Sequence, residues 1–188
     1  MKKKLLILGC GQIFKKHFKS VKSLGSSKFN IVGICDKNKK LLRFVSKKYK
    51  IEPFDHFEDA VRKCNPEIVS ILLPTGYHFE YILKSLKLNL NVIVEKPMCL
   101  KISEAKKVLN LKKKMKKQVF VIMQNKLNIP VKRLTEDIKK NKLGRVFHGS
   151  VIVRWRRDQQ YYDKDKWRGT LKNDGGVIAN QASHHIDL

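Results

Sequence analysis

The chain has 188 residues, room for one well-buried domain and part of a second, and its 42% hydrophobic content is ordinary for a globular protein. No apolar run approaches the roughly 20 residues that cross a bilayer, and the scattered cysteines, with no Cys-x-x-Cys pair, suggest neither a zinc site nor a disulfide framework. A formal net charge of +26 attracts polyanions, but the lysines are spread over nearly every expected helix, without interleaved aromatics. That pattern argues against nucleic acid, and an anionic small-molecule ligand would benefit from the same field.

Lys4 to Leu8 is a short apolar run that leads into Gly9-Cys10-Gly11-Gln12-Ile13-Phe14. Ile13, Phe14, His17, Phe18, Val21 and Leu24 then follow helical spacing, which gives strand, glycine turn and helix. The apolar start is too short for a signal peptide, so a cytoplasmic protein is expected. The first glycine permits a tight turn, and the second lets the backbone approach a pyrophosphate seated on the helix-start amides. Gly9, Gly11, Gln12 and Ile13 are therefore cofactor-binding candidates. Phe14 stands where the fingerprint has Gly or Ala. Gly25-Ser26-Ser27 is expected to end the helix, and Phe29 to Cys35 forms a second strand terminated by Asp36. A carboxylate there is placed to bind the adenosine ribose and repels the extra phosphate of NADP, although Lys37, Lys39 and Lys40 blur that preference. The plainer role for Asp36 is an N-cap for the helix of Leu41, Leu42 and Val45.

Ile51 to Phe54 reads as a brief third strand and Phe57 to Cys64 as a short helix. Glu67 to Leu73 is an apolar fourth strand that ends at Pro74-Thr75-Gly76-Tyr77-His78, before a helix through Tyr81, Ile82, Leu86 and Leu88. Pro74, Thr75 and His78 are crevice candidates. Asn91 to Val94 is a fifth strand that delivers Glu95-Lys96-Pro97; Ser103 is expected to cap the next helix, and Gln118 to Met123 is a sixth strand. Such alternation predicts an α/β fold with a doubly wound parallel sheet and a ligand crevice outside the strands' carboxyl ends. Glu95 and Lys96 are cofactor-binding candidates at that strand end, and Lys96 would project into the crevice; the plainer reading is a surface lysine. After Gln124 and Asn125, which could contact nicotinamide or substrate, a helix with Val131, Leu134 and Ile138 stops at Lys142-Leu143-Gly144. Arg145 to Arg157 alternates and predicts a strand of a second sheet. The expected boundary lies at 124, with residues 1–124 as the dinucleotide-binding domain and 125–188 as the start of another.

Gly9-Cys10-Gly11-Gln12-Ile13 with His17, Asp36, Pro74-Thr75 with His78, and above all Glu95-Lys96-Pro97 resemble the glucose-fructose oxidoreductase and inositol dehydrogenase family, written Gfo/Idh/MocA. The resemblance covers essentially the whole chain. Arg154-Trp155, Tyr161-Tyr162, Trp167-Arg168-Gly169-Thr170, Asp174-Gly175-Gly176, Asn180-Gln181 and His184-His185-Ile186-Asp187 resemble the branch that oxidises the 3-hydroxyl of UDP-linked N-acetylated glucuronic acids for surface polysaccharides. What the resemblance implies is a Rossmann-type sheet followed by an α+β open-sheet substrate domain, with NAD as cofactor and NADP not excluded. It further implies a sugar or sugar-nucleotide substrate, no nucleic acid, no membrane span and a homo-oligomer where the full C-terminal domain is present. Family members run on beyond this length, so the second domain is expected to be incomplete. Much of the family has Asp where this chain has Asn180. An amide takes no proton, so Asn180 can only position a hydroxyl or the His184 ring.

Oxidising a secondary alcohol requires a base and a nicotinamide ring held against the reacting carbon. Lys96 is the first candidate, since desolvation near other cations lowers a lysine from its ordinary pKa of about 10.4. Glu95 opposes this if it pairs with Lys96. His184 is the second candidate, on a helical face shared with Asn180 and Asp187 by spacing. His185 and Asp187 lack a third ligand, so no metal site is expected. Arg154, Arg156, Arg157 and Arg168, with Tyr161, Tyr162 and Trp167, suit a carboxylated, diphosphorylated sugar, because guanidinium forks bind both anions and rings stack on uracil or sugar. Asn125, Asn180 and Gln181 complete the substrate candidates; for the arginines and rings, a solvated strand face and a core tryptophan are the plain alternatives. The resulting expectation is an NAD-dependent sugar dehydrogenase. Another sugar or inositol as substrate, and a non-catalytic dinucleotide sensor or scaffold, remain open.

Overall fold

The computed structural model describes residues 2–25 and 28–188, so Ser26 and Ser27 of the expected helix stop lie outside the described residues. Contacts divide the chain into two units, Met1–Val121 and Ile122–Leu188. In the first, β1 (Lys3–Leu8), β2 (Phe29–Cys35), β3 (Pro53–Phe54), β4 (Ile68–Ile71), β5 (Asn91–Val94) and β6 (Val119–Val121) form one sheet in the order β3-β2-β1-β4-β5-β6. Every pairing is parallel. The intervening helices are α1 (Phe14–Ser23), α2 (Lys39–Tyr49), α3 (Phe57–Cys64), α4 (His78–Lys87) and α5 (Ile102–Lys114). Parallel pairing brings all the carboxyl ends to one rim, which is where the charged and glycine-rich segments lie.

The composition of β1 explains why it sits in the middle. Leu5, Leu6, Ile7 and Leu8 are all buried, and the strand's period of two divides them between two cores. Leu5 and Ile7 pack with Phe14, Leu42 and Val45 of α1 and α2; Leu6 and Leu8 pack with Ala60, Ile82, Leu86 and Val108 of α3, α4 and α5. A sheet covered on both faces needs an unbroken apolar run instead of alternation. Each such side chain contributes roughly 1.5–3 kcal/mol. Phe14, at the position where small residues are usual, turns its ring toward Tyr49 of α2 at 5.3 Å.

Two caps differ from expectation. Asn38, not Asp36, caps α2, its Oδ1 accepting the Leu41 N–H at 3.1 Å. At α5 it is Glu104, not Ser103, that closes the helix start: its carboxylate reaches back one turn and accepts the Leu100 and Lys101 N–H groups, each at 3.3 Å.

The second unit holds a 3₁₀ turn (Gln124–Leu127), α6 (Ile129–Lys139), α7 (Gln159–Asp163), a π-helical turn (Ile178–Ala182) and α8 (Ser183–Ile186). Pro130 occupies the first turn of α6, where a missing N–H costs nothing. The strand expected over 145–157 does not form; the segment is exposed throughout and irregular. Strand structure requires a neighbour to pair with its N–H and C=O groups. No sheet other than the six-stranded one occurs among the described residues, so the alternation has nothing to act on.

Candidate functional site

Gly9 leaves β1 at a φ of +105°, and a Cβ there would lie 2.8 Å from the Leu72 carbonyl oxygen, so only glycine fits. Its N–H donates to the Cys35 carbonyl at 2.8 Å, which ties the turn to β2. Beyond it, the Cys10 N–H donates to Asp36 Oδ2 at 2.7 Å and the Asn38 N–H to Asp36 Oδ1 at 2.8 Å. A carboxylate accepts about four hydrogen bonds, so two sites remain for hydroxyls of a ligand. At Gly11 a Cβ would meet nothing within 4 Å, leaving open space beside the turn that precedes α1. Gln12 is exposed and Ile13 is the N-cap residue of α1.

A cleft of about 370 Å³ opens at this rim, lined by Asp36, Lys37, Asp55, Pro74, Tyr77 and Tyr81 among others. Lys39, one of the lysines expected to blur cofactor preference, is paired with Asp55 at 3.2 Å. The thiols of Cys10 and Cys35 are both pushed up to about 12, first by burial and then by the nearby Asp36 carboxylate. They stay protonated and take no part in nucleophilic chemistry.

Two strands along the same rim, about 10 Å away at sheet spacing, β5 runs into Glu95-Lys96-Pro97. The Glu95 N–H donates to the Ile71 carbonyl at 3.1 Å, which continues the β4 pairing past the strand. His17 of α1 reaches across, its Nε2 2.7 Å from Glu95 Oε1 and its Nδ1 3.2 Å from the Ser70 hydroxyl. Ser, His and Glu in a row have the composition of a nucleophilic triad, but Ser70 is 2% exposed within β4, between Ile7 and Ile93, out of reach of any substrate. The row orients Glu95 instead. On the other side of Lys96, the His78 ring places Nδ1 2.8 Å from the Pro97 carbonyl and Nε2 2.8 Å from that of Leu73. This corrects the expectation for His78: at 1% exposure with both nitrogens facing main-chain oxygens, its ring holds the loop and offers no atom to a cofactor. Burial lowers its pKa, partly opposed by the two carbonyls. Thr75, opening the 3₁₀ turn Thr75–Tyr77, is buried as well.

In the second unit the buried groups are polar. Asp174 accepts the Gly169 N–H at 2.8 Å and the Asn180 side-chain amide, and Asn180 and His184 are both buried. The expected face of Asn180, His184 and Asp187 is broken by the π-helical turn, whose extra residue shifts the register; Asp187 pairs with Lys126 at 2.8 Å. Tyr161 is the hub of the predicted substrate residues, since its hydroxyl accepts from Arg168 at 2.6 Å and from Gln181 at 2.9 Å. The Arg168 guanidinium also stacks on the Tyr161 and Trp167 rings at 4.6 and 4.7 Å. Arg168, Gln181 and Asp174 line a cleft of about 430 Å³. Arg154 and Arg156 are exposed, whereas Arg157 stacks on Trp155 and Tyr161, both at 5.1 Å. Gln124 and Asn125 lie in the 3₁₀ turn that opens this unit.

Ser70 carries a contact that the sequence reading passed over, and His17 and Asp174 are quoted for the resemblance without a role of their own. Ser70 had a signal, as a polar residue inside an apolar strand; Asp174 had only its place before two glycines.

Residues 3–123 match the family model for the Gfo/Idh/MocA "oxidoreductase family, NAD-binding Rossmann fold", and residues 131–188 match its C-terminal domain. The chain belongs to the Gfo/Idh/MocA oxidoreductase family. Among curated proteins it is 29% identical over 194 residues to the oxidoreductase YteT of Bacillus subtilis, covering 97% of this chain and 45% of YteT. Among solved structures it superimposes with a TM-score of 0.95 on the WlbA dehydrogenase of Bordetella pertussis in complex with NADH and UDP-GlcNAcA, at 30% identity, over 100% of this chain and 56% of that one. The WlbA protein of Chromobacterium violaceum, with the same ligands, gives a TM-score of 0.95 at 29% identity, over 100% and 54%. This chain therefore spans about half the length of the relatives it matches.

The first unit fits the family's dinucleotide on its own geometry. Open space beside Gly11 admits a diphosphate to the amides that begin α1, Asp36 keeps acceptor sites for a ribose, and Pro74 and Tyr77 wall the cleft beside it.

Proposed function

We propose that this chain is the NAD-binding part, and the start of the substrate-binding part, of a cytoplasmic dehydrogenase that oxidises a sugar hydroxyl to a ketone. The contact from His17 to Glu95 at 2.7 Å carries the reading, because it joins the helix of the diphosphate-binding turn to the segment that bears Lys96. Gly9, Gly11, Gln12, Ile13, Asp36 and Pro74 would hold the dinucleotide, whose nicotinamide, when bound, supplies the two-electron acceptor. Lys96 takes or polarises the hydroxyl proton, and His184, buried in the second unit as Asn180 and Asp174 are, is the second proton carrier. The boundary near 124 separates these two roles.

The finer reading is a UDP-linked N-acetylated glucuronic acid oxidised at its 3-hydroxyl, on the way to a surface polysaccharide. Its support is the Arg168, Tyr161 and Trp167 cluster, which presents a guanidinium fork and ring faces, together with the similarity to the WlbA proteins crystallised with UDP-GlcNAcA.

Calorimetry with NAD, NADP and a UDP-sugar acid, alongside turnover of wild type and Lys96→Ala, tests both levels. NAD should bind in preference to NADP, and Lys96→Ala should lower turnover about 10²–10⁴-fold while leaving NAD affinity within a few-fold. Undiminished function in Lys96→Ala would leave a dinucleotide sensor or scaffold. Turnover of free inositols but not of UDP-sugar acids would move the substrate to another polyol.

A further inference from the structure

The helices on the two faces of the sheet carry their charges differently. On one face, Lys84 of α4 pairs with Glu58 of α3 at 3.4 Å and with Glu80 of its own helix at 2.9 Å, and Arg62 pairs with Asp59 at 2.7 Å. On the other face, α1 and α2 together hold nine lysines and arginines and no aspartate or glutamate. Among the described residues, Lys39 alone of these nine forms an ion pair, to Asp55. Buried Leu42 and Val45 turn α2 toward the sheet, so Lys40, Arg43, Phe44, Lys47 and Lys48 fall on the opposite side at three- and four-residue spacing, all exposed. Phe14, Phe18 and Val21 do the same for α1, which leaves Lys15, Lys19 and Lys22 exposed. The rings of Phe14 and Phe18 meet Tyr49 at 5.3 and 4.4 Å and hold the two helices side by side. One basic layer results, and it contains a large apolar ring: Phe44 is 62% exposed, with the Lys48 ammonium 5.5 Å from its centroid.

We propose that the layer formed by α1 and α2 is a docking surface for an anionic lipid membrane, with Phe44 entering the headgroup region and the surrounding basic side chains held at the lipid phosphates. The proposal is independent of the role given to Lys96. A layer without carboxylates attracts any polyanion, and a membrane is the polyanion that also accepts a single aromatic ring. Single-stranded nucleic acid calls for several rings on which successive bases stack, whereas Phe44 is the one exposed aromatic of α1 and α2. A second copy of the layer would set like charge against like, which disfavours self-pairing through this face. Lysine and arginine stems are long enough to lie beside an inserted ring while their charged ends stay at headgroup level. No helix among the described residues is long and apolar enough to cross a membrane, so the contact is peripheral and reversible. It is also compatible with cofactor binding, because Phe57, Glu58, Tyr81 and Lys84 bring the walls of the cleft at Asp36 from α3 and α4, on the other face of the sheet.

The test is co-sedimentation of the 188-residue chain with vesicles of phosphatidylcholine containing about 30% phosphatidylglycerol, against vesicles of phosphatidylcholine alone. The chain should pellet with the anionic vesicles at low salt, stay in solution with the neutral ones, and be released as salt rises from roughly 0.05 to 0.5 M. Each basic residue near an anionic surface contributes about fivefold in affinity, so Arg43→Glu with Lys47→Glu should weaken binding at least about a hundredfold. Lys106→Glu with Lys113→Glu, the same charge change at exposed positions of α5 on the other face, should leave binding within about threefold. Phe44→Ala should weaken it about tenfold. Phe44→Trp should add a blue-shifted emission component with anionic vesicles that the wild type, with Trp155 and Trp167, does not show. All these positions are exposed, and unchanged thermal melts would confirm that the variants fold. Absence of pelleting with anionic vesicles at low salt would overturn the proposal. Equal loss from the α5 pair would overturn it too, by assigning the binding to net charge. An affinity indifferent to Phe44→Ala, or an unshifted Phe44→Trp spectrum, would remove the lipid, and tight retention on single-stranded RNA in that case would name a nucleic acid as the partner instead.

Discussion

The two units are built from opposite materials. Every buried apolar side chain among the described residues lies between Leu5 and Val108, in the first unit. In the second, the buried residues are Asp174, Asn180 and His184, while Phe147, Ile152 and Leu171 are each more than three-quarters exposed. Hydrocarbon burial is non-directional and scales with area, so it gives the sheet a stiff frame whose rim can be trusted to hold Gly9, Asp36 and Lys96 in place. Polar contacts are directional, and each contributes only about 0.5–1.5 kcal/mol net. The second unit is thus specified by who bonds to whom, and the first by what is kept from water.

Three measurements could break or sharpen that contrast. The largest effect belongs to the frame: Ile71→Ala, at a fully buried position next to Ser70, should cost about 2–5 kcal/mol in chemical denaturation, whereas Ile152→Ala should change stability by less than about 0.5 kcal/mol. Equal effects would erase the distinction. Next comes the polar unit, where Asp174→Ala leaves the Gly169 N–H and the Asn180 amide without their acceptor and should cost about 1–3 kcal/mol locally. Amide exchange should quicken at Gly169 while β1 and β4 stay protected; unchanged exchange at Gly169 would refute it.

The smallest effect is acid sensitivity of the frame through His78. Its folded pKa lies below the ordinary histidine value near 6.5, because burial disfavours the charge. The unfolded chain therefore takes up the proton first as pH falls. Stability from this group is present above about pH 6.5, declines below it, and levels off once the folded ring also protonates. Glu67 and Asp55, lowered by hydrogen bonds from Lys3 and Lys39, act only in more acid solution. Melting temperatures of wild type and His78→Gln between pH 8 and 5 should converge toward acid pH; parallel curves would count against the assignment.

How much could be read in advance follows the same division. Leu5 to Leu8 and Val92 to Val94 are apolar without alternation, which in a short run bounded by turns already points to a strand covered on both faces. The glycine turn, Asp36 and Lys96 were legible because parallel strands put all carboxyl ends on one rim, whatever the details of packing. The segment over 145–157 misled because alternation reports a surface's pattern and not whether a neighbour exists to pair with. His78 was misjudged for a related reason, since a histidine at a crevice and a histidine pinned between two carbonyls look alike in one dimension.

By itself, the order of residues determined the α/β class, the parallel sheet and the nucleotide rim, because local periodicity and strand polarity are properties of consecutive residues. Only the tertiary structure decided that His17 and Ser70 orient Glu95, that His78 holds Pro97, and that Asp174 holds Asn180. Those contacts join positions that the chain brings within hydrogen-bonding distance only after its helices have packed, in the first unit against the sheet.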